Sequence, residues 1–107
     1  MLVEQRTYTT HPGKIGEYFK HYEAEGLAVQ TAILGRLVGF YQTELGPLNQ
    51  IVHMWAYTDL NDRAARRARL FADPTWLAYL PKILPLVVSM ESKILMPAPF
   101  FKPDWLA

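Results

Sequence analysis

The chain has 107 residues, a formal net charge of +1 and no cysteine, and half of its residues are apolar. This length fits one domain with a modest core. The small net charge gives no general attraction to nucleic acid or acidic membranes, and without cysteine there can be no disulfide, thiolate metal site or cysteine nucleophile. No apolar run could span a bilayer, and the first residues do not resemble a secretory signal, so we expect a cytoplasmic protein.

The first third of the sequence predicts a strand followed by a long helix. Residues 2–9 are rich in β-forming side chains and predict a strand. Apolar residues then recur at helical spacing, which predicts an amphipathic helix over residues 12–33. Pro12 suits the first helical position, whereas Gly26 interrupts the pattern.

A hairpin follows the helix. Residues 36–44 and 50–58 have the composition of strands, and a loop of about five residues joins them. With this loop length, Gly39 would lie opposite Trp55. A glycine there would give the indole room to lie over the backbone, because cross-strand Cβ atoms are only about 5 Å apart.

The second half predicts two helical segments and a last strand. Asp59 suits the N-cap of a helix, and Asp62 occupies the position of a capping-box acid. The predicted apolar stripe of this helix is Leu60, Ala64, Ala68 and Phe71. After the break at residues 73–74, residues 75–85 predict a short helix containing Pro81, and residues 86–95 a fourth strand.

The predicted order is βαββαβ, within one domain over residues 1–107 whose last residues, 97–107, form an extended tail. This order is typical of the α+β, ferredoxin-like fold, in which a four-stranded antiparallel sheet carries both helices on one face. The first and third strands are then the central neighbours.

Alternate residues of the third strand face opposite sides of the sheet. One set is aliphatic, with Val52 and Met54; the other contains His53, Trp55 and Tyr57. We expect the aliphatic set under the helices and the aromatic set on the open face. Because such a face would be unusually apolar for a monomer, the pattern predicts a homodimer through the open sheet faces.

Several segments resemble the NIPSNAP family: "EQRTYTTHPGK", "LGRLVGFYQTELGPLNQIVHMWAY", "DLNDRAARR", "DPTW" and "ILMPAPF". Together they extend from Glu4 to about Phe100, and the stretch 34–57 is the most specific. The resemblance implies a dimeric α+β barrel built on the ferredoxin-like fold. It implies no established reaction.

Three residues are candidates for catalysis: His53, Arg6 and Tyr8. His53 could act as a general base, because its unperturbed pKa lies near neutrality. Arg6 or Tyr8 could then hold developing negative charge. The alternative is a histidine that is hydrogen-bonded for structural reasons only.

The candidate ligand-binding residues on the sheet are Glu4, Tyr41, Trp55 and Tyr57. Glu4, Arg6 and Tyr8 share one face of the first strand, and with His53 they could wall a pocket between two sheets for a small aromatic or carbonyl ligand. Trp55 could stack on a planar ligand or serve packing alone. Glu4 and Arg6 could equally form a structural ion pair.

The second helix carries a cluster of arginines: Arg63, Arg66, Arg67 and Arg69. Asp59 and Asp62 precede Arg63 and Arg66 by four residues, the favourable order for ion pairs on a solvated helix face. Alternatively, Arg63 or Arg67 clamps an anionic group near the mouth of the pocket. The cluster is too short for nucleic-acid binding.

Two classes of function remain. One is a small enzyme for proton transfer, oxygenation or isomerisation that needs no cofactor; the other is a non-catalytic dimer that binds a ligand or another protein. The three histidines, His11, His21 and His53, lack the spacing of a metal site.

Overall fold

The computed structural model describes residues 1–103 of the chain. Four strands and four α-helices follow one another in this order: β1 (Leu2–Thr10), α1 (Ile15–His21), α2 (Leu27–Leu34), β2 (Arg36–Gln42), β3 (Gln50–Tyr57), α3 (Leu60–Leu70), α4 (Pro74–Ile83) and β4 (Val87–Leu95). A π-helical segment, Tyr22–Gly26, joins α1 to α2, and a 3₁₀ turn, Leu84–Leu86, follows α4.

The strands form one antiparallel sheet in the order β2-β3-β1-β4. The helices pack on one face, and we call this face the covered face and the opposite one the open face. The predicted α+β ferredoxin-like fold is confirmed, as are the central positions of β1 and β3.

The first helical region begins later than predicted and is not continuous. Helix α1 starts at Ile15, because residues 12–13 form a turn. A π-helical segment then ends at Gly26, where a Cβ atom would lie 2.9 Å from side-chain atoms of both Tyr22 and Tyr79. Gly26 therefore allows the π-helical segment and α4 to approach closely.

The predicted helix start at Asp59 is confirmed. The Asp59 carboxylate accepts a 2.7 Å hydrogen bond from the backbone N–H of Asp62, and the Asp62 carboxylate accepts one of 2.9 Å from the N–H of Thr58. Asp73 caps α4 in the same way, since it accepts hydrogen bonds from the N–H groups of Thr75 and Trp76.

The predicted assignment of the sheet faces is wrong. His53, Trp55 and Tyr57 are buried on the covered face, whereas Val52 and Met54 lie on the open face. The cause lies in the helices, which present aromatic and charged side chains to the sheet. A predominantly aliphatic strand face would leave those polar groups without partners.

The predicted apolar stripe of α3 is also wrong. Leu60 and Phe71 are exposed, and Leu70 is the buried apolar residue of this helix. Arg63 and Arg67 are instead half-buried, so the arginine cluster does not form a purely solvated face.

The hairpin register differs from the prediction by one residue between the loop and Gly39, and by two residues beyond it. Thr43 and Gln50 are hydrogen-bonded across the hairpin, so the loop is longer than predicted. A bulge lies between Leu37 and Gly39, with the result that Leu37 pairs with Trp55 and Gly39 with Met54. The predicted packing of Trp55 over Gly39 is therefore wrong.

The predicted tail, residues 97–107, extends beyond the described residues, because 104–107 lie outside them. Within the described part, the N–H of Phe101 donates a 2.9 Å hydrogen bond to the carbonyl of Ala98 and closes a turn. No helix in residues 1–103 is long and apolar enough to cross a membrane.

Candidate functional site

A charged cluster lies on the covered face around Glu4, whose side chain is fully buried. Arg63 reaches down from α3 and donates from Nε to one carboxylate oxygen at 3.1 Å and from its terminal nitrogen to the other at 2.8 Å. Arg6 donates to the carboxylate at 2.9 Å, and the Ser92 hydroxyl donates at 2.6 Å. Both oxygens of Glu4 are thus used by residues of three different elements.

These donors keep Glu4 ionised. Burial by itself raises the pKa of the carboxyl group, but the hydrogen bonds from Arg63 and Ser92 and the charge of Arg6 outweigh it and lower the pKa to about 2. The ion pair between Glu4 and Arg6, considered as an alternative to ligand binding, is present. Arg63 does clamp an anion, and that anion is Glu4.

His53 lies opposite Arg6 in the sheet and is almost fully buried. Its ring stacks on Phe40 at a centroid distance of 4.8 Å and meets the edge of Tyr8 at 4.9 Å. The indole N–H of Trp55 donates a 2.7 Å hydrogen bond to Nδ1 of His53. Because an indole can only donate, Nδ1 must be the acceptor, and the proton of the neutral imidazole resides on Nε2.

The Nε2–H group of His53 is buried and has no hydrogen-bond partner among the described residues. Burial, together with the charge of Arg6, lowers the pKa of His53 to about 3. A histidine held in this way is a hydrogen-bond donor at neutral pH. It is a poor general base, because its basic nitrogen is already occupied by Trp55.

A cavity of about 290 Å³ lies between the helices and the covered face of the sheet. All four α-helices, the two central strands and β4 contribute to its lining. The lining residues are Arg6, Tyr8, Tyr18, Gln30, His53, Arg67, Leu70, Phe71, Trp76, Leu80, Ile83, Leu84 and Met90. Phe71, Leu84 and Met90 are nearly half exposed and mark the mouth. The buried lining residues, His53 and Trp76 among them, form the floor.

Positive charge dominates the cavity wall. Arg6 and Arg67 line it, and no Asp or Glu does so within residues 1–103. Arg6 is paired with Glu4 and also donates from Nε to the Tyr8 hydroxyl at 2.9 Å. Arg67 forms no salt bridge within the described residues, and its guanidinium lies 5.4 Å from the centre of the Phe71 ring. Burial and the nearby charge of Arg6 lower the pKa of Arg67.

The structure brings together only some of the predicted site residues. His53, Arg6, Tyr8 and Arg67 line the cavity, but Trp55 lies behind His53, and Glu4 and Arg63 neutralise each other beside it. Tyr57 is buried near Arg36 and Arg66, outside the cavity. Tyr41 lies exposed on the open face, opposite Val52.

The predicted pocket between two sheets is therefore wrong in its position, because its proposed wall faces the helices. Sequence reasoning also missed two residues of this region, Trp76 and Ser92. The register of β1 with β4 places Ser92 opposite Arg6. Trp76 follows the cap residue Asp73 by three positions, so it lies in the first turn of α4, and its side chain lines the cavity. Residues 1–103 contain no cluster of three or more His, Asp or Glu side chains able to hold a metal.

The comparisons with known proteins agree with the fold. The NIPSNAP family model matches residues 3–102. A NipSnap homolog of Dictyostelium discoideum is 37% identical over 94 residues, which cover 88% of this chain and 41% of that protein. NipSnap homolog 1 of Danio rerio is 30% identical over 96 residues, 90% of this chain and 34% of that protein. The chain thus spans less than half the length of these curated relatives.

Among solved structures, a NIPSNAP family protein of Agrobacterium tumefaciens, described as having unknown function, is 51% identical with a TM-score of 0.91 and covers 94% of this chain and 91% of its own. A putative antibiotic biosynthesis monooxygenase of Nitrosomonas europaea has a TM-score of 0.65 over 91% of this chain and 98% of its own, but at 16% identity this likeness concerns the fold alone. On the family match and these relatives, the chain belongs to the NIPSNAP family.

Proposed function

We propose that this chain is a homodimeric domain that binds a small molecule in the cavity between the helices and the sheet. The observation that carries the proposal is the unpartnered Nε2–H group of His53 at this cavity. Leaving a buried donor unsatisfied costs about 1–3 kcal/mol, and a ligand that supplies an acceptor would recover this free energy. The volume of about 290 Å³ suits a compact ligand.

The lining supports an aromatic or carbonyl ligand. Apolar side chains such as Leu80 and Leu84 would hold its body, and the donors of His53 and Arg6 would orient a carbonyl or similar oxygen. Few polar groups within a largely apolar wall are the usual composition of a small-molecule site.

A second candidate is catalysis of proton transfer at a carbon next to a carbonyl. A neutral imidazole that donates from Nε2 is suited to stabilise negative charge as it develops on a carbonyl oxygen, and Arg6 would strengthen this effect. Because no carboxylate lines the cavity within residues 1–103, solvent water entering at the mouth would accept the proton from the carbon atom. In this version Tyr8 helps to position Arg6, and His53 is the electrophile rather than the base. Loss of deuterium from an α-deuterated ligand would test it, and His53→Gln should retain part of the activity because an amide still donates.

The homodimer is proposed from uncovered apolar surface. Val52 and Met54 lie on the open face. On the same face, Tyr41 lies opposite Val52 and is 58% exposed, and Leu95 at the end of β4 is 39% exposed. A second copy that covers the open face would remove this surface from water. The single domain over residues 1–107 is part of the same proposal.

The assembly is tested by sedimentation. The wild-type chain should sediment as a dimer at micromolar concentration, and Met54→Lys should weaken the dimer because the charge would lie in the interface. Ala65→Lys on the exposed side of α3 is the matched control and should leave assembly unchanged. A wild-type monomer, or equal effects of the two lysines, would overturn the dimer.

Ligand binding is tested by native mass spectrometry of protein purified from its source and by an NMR screen of small aromatic and carbonyl compounds. We expect a retained or added ligand that perturbs His53 resonances and not those of Tyr41 on the open face. Binding that perturbs only residues outside the cavity, or no binding in either experiment, would refute the proposed site.

A further inference from the structure

The floor of the cavity offers a second unpartnered donor besides His53. Trp76 lines the cavity, its side chain is 6% exposed, and its indole Nε1–H has no hydrogen-bond partner among the described residues. An indole nitrogen cannot accept a hydrogen bond. Two buried N–H groups at one cavity therefore require an occupant that only accepts from them.

The charges of the covered face have the matching imbalance. Three guanidinium groups, those of Arg6, Arg63 and Arg67, lie around one carboxylate, that of Glu4. Arg6 and Arg63 both bond to Glu4, whereas Arg67 has only the Phe71 ring within the described residues. Taking a guanidinium partly out of water without an anion is unfavourable, so this arginine lacks the partner that its neighbours have.

Among the described lining residues, the unpartnered hydrogen-bond donors lie at the buried end of the cavity, beside apolar side chains such as Leu70, and none lies at its mouth. His53 and Trp76 are buried, and the side chains at the mouth, Phe71, Leu84 and Met90, are apolar and nearly half exposed. A ligand that fits this arrangement carries its charged group inward and its apolar part outward.

We propose that the cavity binds a small organic carboxylate, with its head group held by Arg67, His53 and Trp76 and its apolar body against the side chains of the mouth. This inference rests on the proposed small-molecule function of the same cavity and adds the charge, polarity and orientation of the ligand. A carboxylate is an acceptor only, it pairs well with a guanidinium, and it can accept from several N–H groups at once.

The test compares ligands that have one shape and different head groups: phenylacetate, phenylacetamide and phenethylamine. Each is titrated into the full chain while the indole ¹⁵N–H signals are recorded. Phenylacetate should bind at least about tenfold more tightly than the amide, because charged hydrogen bonds are the stronger ones. It should also shift the Trp76 indole signal, and the Trp55 signal should move less because that N–H is held by His53.

Variants locate the head group. Arg67→Gln should weaken phenylacetate binding at least about tenfold and leave phenylacetamide binding nearly unchanged, since only the carboxylate depends on the charge. Arg69→Gln is the matched control, because Arg69 is an exposed arginine on the same helix that does not line the cavity. Trp76→Phe keeps an aromatic ring and removes the donor, so it should weaken phenylacetate by several-fold.

The outcomes separate this inference from the proposed function. If the amide or the amine binds in the cavity as tightly as phenylacetate, the cavity is a small-molecule site but the carboxylate inference is wrong. If none of the three shifts the signals of Trp76 and His53, and hexanoate and benzoate also leave these signals unchanged, the carboxylate inference is overturned. If uncharged compounds of the NMR screen described above still bind in the cavity, the proposed function stands. Equal effects of Arg67→Gln and Arg69→Gln would show that the arginine acts through overall charge and would likewise overturn it.

Discussion

Two polar groups of residues lie side by side on the covered face, and they differ in how far their hydrogen-bonding capacity is used. Around Glu4, every oxygen has donors from Arg6, Arg63 or Ser92. At the cavity, His53 and Trp76 each keep a buried N–H group that has no partner in the described part of the chain. The first arrangement is complete within one chain, whereas the second requires something else.

This difference separates structural from functional roles among residues of the same types. An arginine beside a buried carboxylate fixes α3 to β1. An arginine four residues later in the same helix faces a cavity to which residues 1–103 contribute no carboxylate. Composition and burial alone would class Arg63 and Arg67 together. Their partners tell them apart.

The largest effect should follow from breaking the completed cluster. Glu4→Gln removes the only carboxylate among residues 1–103 that holds Arg6 and Arg63, and leaves these two partly buried cations without that anion. We expect a loss of about 3–5 kcal/mol in the free energy of unfolding, measured by urea denaturation. Glu91→Gln on exposed β4 is the control and should change it by less than about 0.5 kcal/mol. A loss under about 1 kcal/mol for Glu4→Gln would contradict the structural role of the cluster.

The two arginines provide the next comparison. Arg63→Gln should destabilise the chain by about 2–3 kcal/mol, because it removes a two-point charged contact with Glu4. Arg67→Gln should be neutral within about 0.5 kcal/mol or slightly stabilising, since it removes a cation that has no anionic partner in the described residues. Thermal or urea unfolding of both variants without ligand decides the matter. Similar losses for the two would show that Arg67 has a structural partner after all.

The stability of the ligand-free chain should also depend on pH through His53. Its pKa is lowered from 6.5 to about 3 in the folded state, so the unfolded state binds the proton more readily between these values. Stability is therefore fully present above pH 6.5 and declines as the pH falls towards 3. From pH 7 to pH 5 we expect a loss of about 2 kcal/mol, a range that lies above the titration of Glu4.

His53→Gln should remove this pH dependence, and the exposed His11→Gln should retain it. NMR should show His53 as the Nε2–H tautomer, with unchanged ring shifts from pH 7 to pH 5. A His53 signal that titrates near pH 6.5 would contradict the buried, neutral imidazole and weaken its assignment as a donor.

The sequence was sufficient to predict the order of elements, the strand neighbours, the cap at Asp59 and the break at residues 73–74, because these depend on local patterns. It was not sufficient for the choice between the two faces of β3. Both faces are apolar, so the choice depended on what the helices present to the sheet. Helix α3 contained the needed signal: an arginine-rich helix with a weak apolar stripe must pack on a face that holds an acid, and Glu4 is that acid.

The site was predicted only in part for a related reason. Spacing by two along a strand was enough to place Glu4, Arg6 and Tyr8 on one face, and pairing brought Arg6 opposite His53. The contribution of Trp76 comes from a helix whose docking no local pattern defines. The register near Gly39 depended on a bulge in β2 and on the length of the hairpin loop, in which Gly46 and Asn49 have positive φ. The loop length estimated from composition was one residue too short.

The smallest effect is expected at Gly39 in β2, and Gly26 in the π-helical segment provides the comparison. At Gly39 a Cβ atom would lie 2.6 Å from the ring of Tyr41, but this ring is 58% exposed and can move away. The gain in strand propensity from Gly39→Ala, about 0.5–1 kcal/mol, should roughly offset that displacement, so the melting temperature should hardly change. At Gly26 the new Cβ would meet the buried rings of Tyr22 and Tyr79, and Gly26→Ala should cost about 1–3 kcal/mol. If Gly39→Ala were as destabilising as Gly26→Ala, the ring of Tyr41 would have to be fixed over the glycine. A second copy that holds Tyr41 in the dimer interface would fix it in this way. In that case Gly39→Ala should change the stability very little when it is introduced into the Met54→Lys variant, in which the dimer is weakened.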